Sequence, residues 1–247
     1  MKETAIVTGG AGGIGRAIVR GLLARNINTA IVDVDKSGEM FALACCEEFG
    51  ADCARFYKVD IADVHQVTEV VKKLEQSWGN VTYLVNNAVY SVYEPFLEIT
   101  PASWAKVMDV GLTGSFYFAQ AFSRVLVEEG REGRIVNVAS INSFAVEHGV
   151  AHYASVKGAL VQLTKSLALE LGAHGIIVNA VAPGMTETDK NREIFNTEPF
   201  VTLKKRIPLG RTGTPEEITN VILFLLLTEH YMTGQTLLAD GGLLSGI

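Results

Sequence analysis

Thr8-Gly9-Gly10-Ala11-Gly12-Gly13-Ile14-Gly15 sits between an apolar run, Thr4–Thr8, and apolar residues that recur at helical spacing from Ala17 to Leu23. A strand that turns through glycines into a helix has two chemical consequences. Glycine lets backbone approach a bound group closely, and the helix start offers unpaired N–H donors and positive partial charge. A tight strand–helix turn also needs glycines for geometry alone, so the motif takes its meaning from its neighbours along the chain. The next apolar run, Thr29–Asp33, ends in a carboxylate, where an acceptor for a ribose hydroxyl belongs in a dinucleotide-binding unit. A carboxylate there repels a 2′-phosphate, and neither Gly12 nor Val34 supplies a cation to hold one; Arg16 is the only cation nearby. The reading is a dinucleotide site that prefers NAD to NADP.

The same alternation continues outward from this turn. Apolar runs at Ala54–Val59, Tyr83–Asn86, Arg134–Ala139, Ile176–Val181 and Gln235–Leu238 read as strands. Helical patterns run over Ser37–Phe49, about Asp63–Trp78, Pro101–Glu129, Tyr153–Leu171 and Pro215–Leu227. Strands without a polar face, alternating with helices, predict an α/β fold: one doubly wound, Rossmann-type parallel sheet with helices on both faces. With 247 residues, 48% hydrophobic and 19% charged, the chain is expected to form one domain over 1–247. The polar, proline-punctuated stretch 184–213 is too long for an ordinary connection and reads as a lid over a substrate or a small helical insertion, the lid being preferred.

A net charge of −6 argues against nucleic acid or an anionic membrane as partner. The residues before the first strand are too short for a signal-peptide core, and the run Val221–Leu227 is too short to span a membrane. Cys45, Cys46 and Cys53 lack metal-ligand spacing and read as reduced thiols of a cytoplasmic protein. His65, His152, His174 and His230 are scattered, which suggests capping or surface roles and no metal.

Tyr153 and Lys157, in Tyr-Ala-Ser-Val-Lys, fall on one face of a helix. Using a tyrosine as base near neutrality asks for a lowering of about 3 units, roughly 4 kcal/mol. One ammonium about 4 Å away supplies an interaction of that size, and an oxidised nicotinamide adds positive charge on the same side. Taken alone, such a pair more often marks an amphipathic helix with a snorkelling lysine. Ser140 follows a strand, where ligands of parallel sheets gather, and its hydroxyl suits a substrate oxygen; an ordinary turn or N-cap is the plainer role.

Together these motifs resemble the short-chain dehydrogenase/reductase family. The resemblance rests on TGGAGGIG, Asp33, Asp60 in VDIAD, Asn86-Asn87-Ala88, Ser140, YASVK, NAVAPG with Thr188, and Asp240-Gly241-Gly242. It implies an oxidoreductase that moves a hydride between a nicotinamide ring and an alcohol or carbonyl carbon, with Ser140, Tyr153 and Lys157 as catalytic triad. The implied cofactor contacts begin with Thr8, Gly9, Gly13, Ile14 and Gly15, then Asp33 and Val34 at the ribose. Asp60 and Ile61 would meet the adenine, and Asn87 with Ala88 the adenosine ribose side. Tyr153, Lys157, Pro183, Gly184 and Thr188 would surround the nicotinamide end. For Asp60 a helix cap, and for Asn87 a turn, are the plainer readings.

Two positions depart from the family pattern. Val89 replaces the glycine after Asn-Asn-Ala, so the backbone there must lie in an ordinary region or shift. Gly111 replaces the asparagine that helps hold a water beneath the lysine; it has no side chain to hydrogen-bond, although the vacated space could admit another water. Proton exchange with solvent should then be impaired or rerouted while hydride geometry survives.

Asn142, Glu147 and His148, with Glu187, Asn191 and Arg192, predict a polar lining suited to a sugar or polyol. Leu160, Val161, Leu163, Leu167, Leu169 and Leu171 put apolar residues on more than one helix face, and the resemblance implies a homotetramer. Leu237, Leu238, Leu243, Leu244 and Ile247 form a second candidate interface. Two rival readings stand beside the dehydrogenase. One is a 3-oxoacyl-thioester reductase, with Lys204, Lys205 and Arg206 as a basic entrance. The other is a catalytically idle NAD-binding sensor, prompted by Gly111 and Val89.

Overall fold

The computed structural model describes residues 2–189 and 191–246. In chain order its elements are β1 (Thr4–Thr8), α1 (Gly13–Leu23), β2 (Asn28–Asp33), α2 (Ser37–Phe49), β3 (Ala54–Lys58), α3 (Val64–Ser77) and β4 (Val81–Asn86). Then come α4 (Pro101–Met108), α5 (Gly114–Glu129), β5 (Gly133–Val138), α6 (Ala151–Leu171), β6 (Ile176–Pro183), α7 (Arg192–Phe195), α8 (Glu198–Lys204), α9 (Pro215–Leu227) and β7 (Thr236–Ala239). Among the described residues seven strands form one sheet in the order β3-β2-β1-β4-β5-β6-β7, and every pairing is parallel.

The two faces of each strand explain why the strands read as unbroken apolar runs. Ala5, Val7 and Ile31 point into one core with Ile18 and Leu22 of α1 and Ile222 and Leu226 of α9. Ile6, Ala30 and Val32 point into the other, with Val67 and Val71 of α3 and Phe118 and Phe122 of α5. A strand buried on both sides has no place for a polar face.

The strand order reverses between β1 and β4, so the chains leaving these neighbours run to opposite sides and open a crevice at their carboxyl ends. Thr8 braces that junction. Its buried hydroxyl accepts from the N–H groups of Asn87 (3.0 Å) and Ala88 (3.1 Å), while the Asn87 amide donates back to the carbonyls of Thr8 (3.0 Å) and Gly9 (3.1 Å). Gly9 sits at φ +63°, and a Cβ there would lie 2.8 Å from Ala88 Cα. Only glycine lets the two loops approach so closely.

The helix expected over Pro101–Glu129 is interrupted. Asp109–Thr113 forms a π turn between α4 and α5, with the Ser115 hydroxyl donating to the Gly111 carbonyl at 3.0 Å. A single wide turn leaves hydropathy periodicity almost intact, which hides it from sequence reading. The stretch 184–213 folds into α7 and α8, and its ends meet where Gly213 N–H donates to Met185 O (2.8 Å) and Glu187 N–H to Gly213 O (3.0 Å). The second apolar cluster needs correction. Leu243 is buried and Leu244 packs with it against Ile141, Met185 and Ile207, so these leucines serve the chain's own core; Ile247 lies outside the described residues.

Thr8→Val keeps the shape of the side chain but leaves the Asn87 and Ala88 N–H groups without their acceptor. It should lower the unfolding free energy by about 2 kcal/mol in urea titration, and Thr8→Ser should recover most of that.

Candidate active site

Ser140 follows β5 in an extended conformation and caps the short turn Ile141–Ser143, its Oγ accepting the Asn142 N–H at 3.1 Å. The plain capping role and a place in the cleft therefore coexist. Tyr153 stands in the first turn of α6 and Lys157 one turn later. Lys157 is buried, and its Nζ donates to Val138 O at 2.6 Å. Burial pushes this ammonium down to about 8, since a charge is costly to enclose. Tyr153 is pushed up by burial, an effect partly offset by a hydrogen bond with Ser140 and reinforced by the charge of Glu147.

The approach of the ammonium to within about 4 Å of the phenol, assumed in the sequence reading, is not how Lys157 is directed. Lys157 Nζ lies 5.7 Å from the centroid of the Tyr153 ring and is directed to the Val138 carbonyl. In the protein by itself, desolvation and the Glu147 charge outweigh the Ser140 hydrogen bond. Of the capping and surface roles expected for His152 the structure shows the first: the ring is wholly buried, and its Nδ1 accepts the first-turn Tyr153 N–H at 2.9 Å.

A cleft of about 580 Å³ runs along the carboxyl edge of the sheet from Ile14 and Asn87, past Pro183, Gly184 and Thr188, to Ser140, Tyr153 and Lys157. The residues at its far end fit a dinucleotide. Helix α1 starts with no side-chain cap and no acid in its first turn, so its N–H donors are left to an anion. A Cβ on Gly13 would come within 3.6 Å of Thr188, so the glycine turn faces Thr188 across the cleft. Asp33 ends β2, its two carboxylate oxygens accepting from Ala11 N–H and Asp35 N–H, both at 3.0 Å. Arg16 folds back, Nε donating to Ala11 O at 2.6 Å and the guanidinium resting 4.7 Å from the Phe41 centroid. Asp60 accepts Ala62 N–H at the exposed edge beyond β3; the cap of α3 is Asp63, not Asp60. Val34 is exposed and Ile61 buried in the adjoining core. Val89 has an ordinary backbone conformation, as a β-branched residue requires.

The predicted polar lining is only partly assembled. Asn142 and Glu147 line the cleft, whereas His148 lines a neighbouring cavity that shares only Tyr93 and Glu147 with it. Asn191 reaches the cleft but is engaged with Thr188 N–H (2.7 Å) and Thr186 O (2.9 Å). Glu187 pairs with exposed Arg192 at 3.0 Å. Sequence reading misses Tyr90, Ser91, Tyr93, Met185, Phe195 and Phe200, which complete the walls. The aromatic alternation of Tyr90-Ser91-Val92-Tyr93 immediately after β4 is the signal that could have found the first three.

A side chain fills the space opposite Gly111. Gly111 and Val156 are both buried, and a Cβ on Gly111 would lie 2.4 Å from Val156 Cγ1. The valine of YASVK occupies the volume that a side chain at 111 would need, so that volume is not left vacant.

The sequence profile of a family described as enoyl-(acyl carrier protein) reductase matches residues 9–244. The L-rhamnose 1-dehydrogenase (NAD(P)(+)) of Azotobacter vinelandii is 35% identical, over 98% of this chain and 97% of the relative. The 3-oxoacyl-[acyl-carrier-protein] reductase of Aquifex aeolicus is also 35% identical, over 98% and 97%. The crystal structure of a gluconate 5-dehydrogenase from Burkholderia cenocepacia with NADP and tartrate superposes with a TM-score of 0.92 at 33% identity, over 100% of this chain and 97% of that one. The chain belongs to the short-chain dehydrogenase/reductase family. It is an oxidoreductase built on a Rossmann-type sheet, and its relatives use nicotinamide cofactors. No helix among the described residues is long and apolar enough to cross a membrane.

Below pH about 8 the folded chain carries the full cost of enclosing the Lys157 charge, equivalent to about 3 kcal/mol. Lys157→Met removes that cost and loses one hydrogen bond of about 1 kcal/mol. The variant should be more stable than the parent at pH 7 by thermal melting. Its advantage should fade as pH rises through 8 towards the ordinary lysine value of 10.5, where both states are neutral. Gly111→Asn alone should destabilise by about 1–3 kcal/mol through overpacking against Val156. Combining it with Val156→Ala should restore most of the loss and allow the pH profile of turnover to be compared with the parent.

Proposed function

We propose that this protein is an NAD-linked dehydrogenase that interconverts a hydroxyl of a sugar or polyol with the corresponding carbonyl. The observation that carries the substrate class is Glu147. Its carboxylate is half-buried in the wall of the cleft, its charge is felt at Tyr153, and no side chain or backbone group among the described residues pairs with it. Burial pushes its carboxyl up, so a ligand bringing hydroxyl donors is favoured there over an apolar or anionic one. The neighbouring Asn142 and Ser91 add polar contacts, and relatives named for rhamnose, sorbitol and galactitol support the same class.

In this reading the nicotinamide ring supplies the hydride chemistry. Asn142 N–H holds Ser140 Oγ, and the Ser140 hydroxyl holds the substrate oxygen beside the Tyr153 phenol. Tyr153 takes the proton from the substrate hydroxyl in oxidation and returns it in reduction. Lys157, enclosed and fixed by Val138 O, orients the cofactor end. Its charge, added to that of the oxidised ring, opposes the burial that raises the phenol. Asp33, anchored by two backbone N–H groups, favours NAD by repelling a 2′-phosphate. The Burkholderia structure holds NADP, so NAD and NADP are compared side by side in the assay below.

The same reading takes residues 1–247 as one domain and 184–213 as a lid whose base is pinned at Gly213. It also takes the enzyme as a cytoplasmic homotetramer, with Cys45, Cys46 and Cys53 reduced. Leu169, 86% exposed on α6, and the half-exposed Phe116 and Val127 on α5 support subunit packing. A specific feature favours the rival 3-oxoacyl-thioester reductase: Met185, Phe195 and Phe200 form an apolar wall, and Lys204, Lys205 and Arg206 are exposed at the end of α8.

An absorbance assay for NADH or NADPH formation over L-rhamnose, gluconate, galactitol, sorbitol and simple alcohols tests the proposal. Turnover of a sugar or polyol with NAD is expected. Turnover confined to 3-oxoacyl thioesters, or to NADP, would refute the substrate or cofactor assignment respectively. Tyr153→Phe should lower turnover by about a thousandfold while leaving NADH binding, read by fluorescence, unchanged.

A further inference from the structure

A second polar cluster lies behind Tyr153, outside the cleft. The connection from β4 to α4 carries Tyr90 and Tyr93 of the cleft wall and is tied to the start of α6 at two points. Glu94 N–H donates to Gly149 O at 2.9 Å, and His152 Nε2 lies 3.1 Å from Glu94 Oε2. The Ser103 hydroxyl donates to that same carboxylate oxygen. The ring's other nitrogen, Nδ1, accepts the Tyr153 N–H at 2.9 Å. An imidazole whose Nδ1 accepts carries its proton on Nε2, so the tautomer is fixed and Nε2–H donates to Glu94. His152 is completely buried, and α6 has no side-chain cap at Val150. The imidazole therefore satisfies a first-turn donor of α6 that would otherwise be unpaired.

We infer that Glu94 and His152 are positioning residues for Tyr153: the carboxylate orients the buried imidazole, and the imidazole fixes the backbone from which the phenol reaches Ser140. This rests on the reading of Tyr153 as the proton carrier. The pair also joins both walls of the cleft, because Tyr93 precedes Glu94 and Tyr153 follows His152.

The test uses the full chain, the sugar or polyol turned over fastest in the substrate panel, and hydrogen exchange at the Tyr153 amide. Glu94→Ala frees the ring. His152→Gln can still reach Glu94 but presents no acceptor at the Nδ1 position. Both should lower kcat by about tenfold or more, with KM and NADH affinity little changed, at temperatures well below the melting transition. Both should also accelerate exchange at the Tyr153 amide. Glu94→Gln keeps an acceptor for Nε2–H and Ser103 and should return kcat and exchange to within about threefold of the parent. A lowered melting temperature with unchanged kcat, unchanged exchange at Tyr153, or a Glu94→Gln variant as impaired as Glu94→Ala would overturn the inference. If no sugar or polyol is turned over, the substrate assignment fails. The Tyr153 exchange rates of the three variants, with the ring tautomer read by nitrogen NMR, then decide the positioning role alone.

Discussion

An ammonium enclosed by protein is expensive, and the arrangement of this molecule is organised around one. Lys157 is held on the second turn of α6 with its Nζ on the carbonyl that ends β5. Apolar packing alone would not place a lysine there, since burial disfavours its charged form. The proposed function gives that charge a use, in a cleft lined also by Ser140 and Tyr153. Burial pushes the phenol of Tyr153 above its ordinary value, and the Ser140 hydrogen bond opposes this.

Rigid support for that cleft comes from polar contacts that cross between elements. Thr8 locks the first loop to the fourth strand's loop at the switch point. Beneath the site Asn86 donates to Asn137 Oδ1 at 2.9 Å, and Asn137 in turn donates to Thr164 Oγ1 at 2.9 Å, linking β4 and β5 to α6. Thr8, Asn86, Asn137 and Thr164 are buried, so these bonds also avoid the penalty of unpaired polar groups. Helix α6, which carries Tyr153 and Lys157, is thus fixed along its length as well as at its start.

Much of this is readable in the sequence because it depends on local patterns. Doubly buried strands, glycines at the first turn and the Tyr-Ala-Ser-Val-Lys spacing all repeat over a few residues. The unreadable part depends on residues distant in the chain. Val156 filling the space beside Gly111 requires knowing that the π turn and α6 touch. The reach of Lys157 to Val138, rather than toward the phenol, depends on where a strand ends under a helix. The burial of His152 against Glu94 is hidden because the two lie 58 positions apart. Leu243 and Leu244 read as an interface because a short apolar cluster carries no label saying which surface it covers.

The buried lysine, the phenol and the serine hydroxyl are assigned to one site that closes on a dinucleotide in the cleft. A crystal structure with the dinucleotide bound bears on this without intermediate steps. The pyrophosphate is expected at the start of α1 and the nicotinamide ring between Thr188 and the Ser140–Tyr153–Lys157 group, with Tyr153 still beside Ser140. A ring lying outside that group, or a Tyr153 phenol turned away from Ser140 when the cofactor is bound, would contradict the assignment.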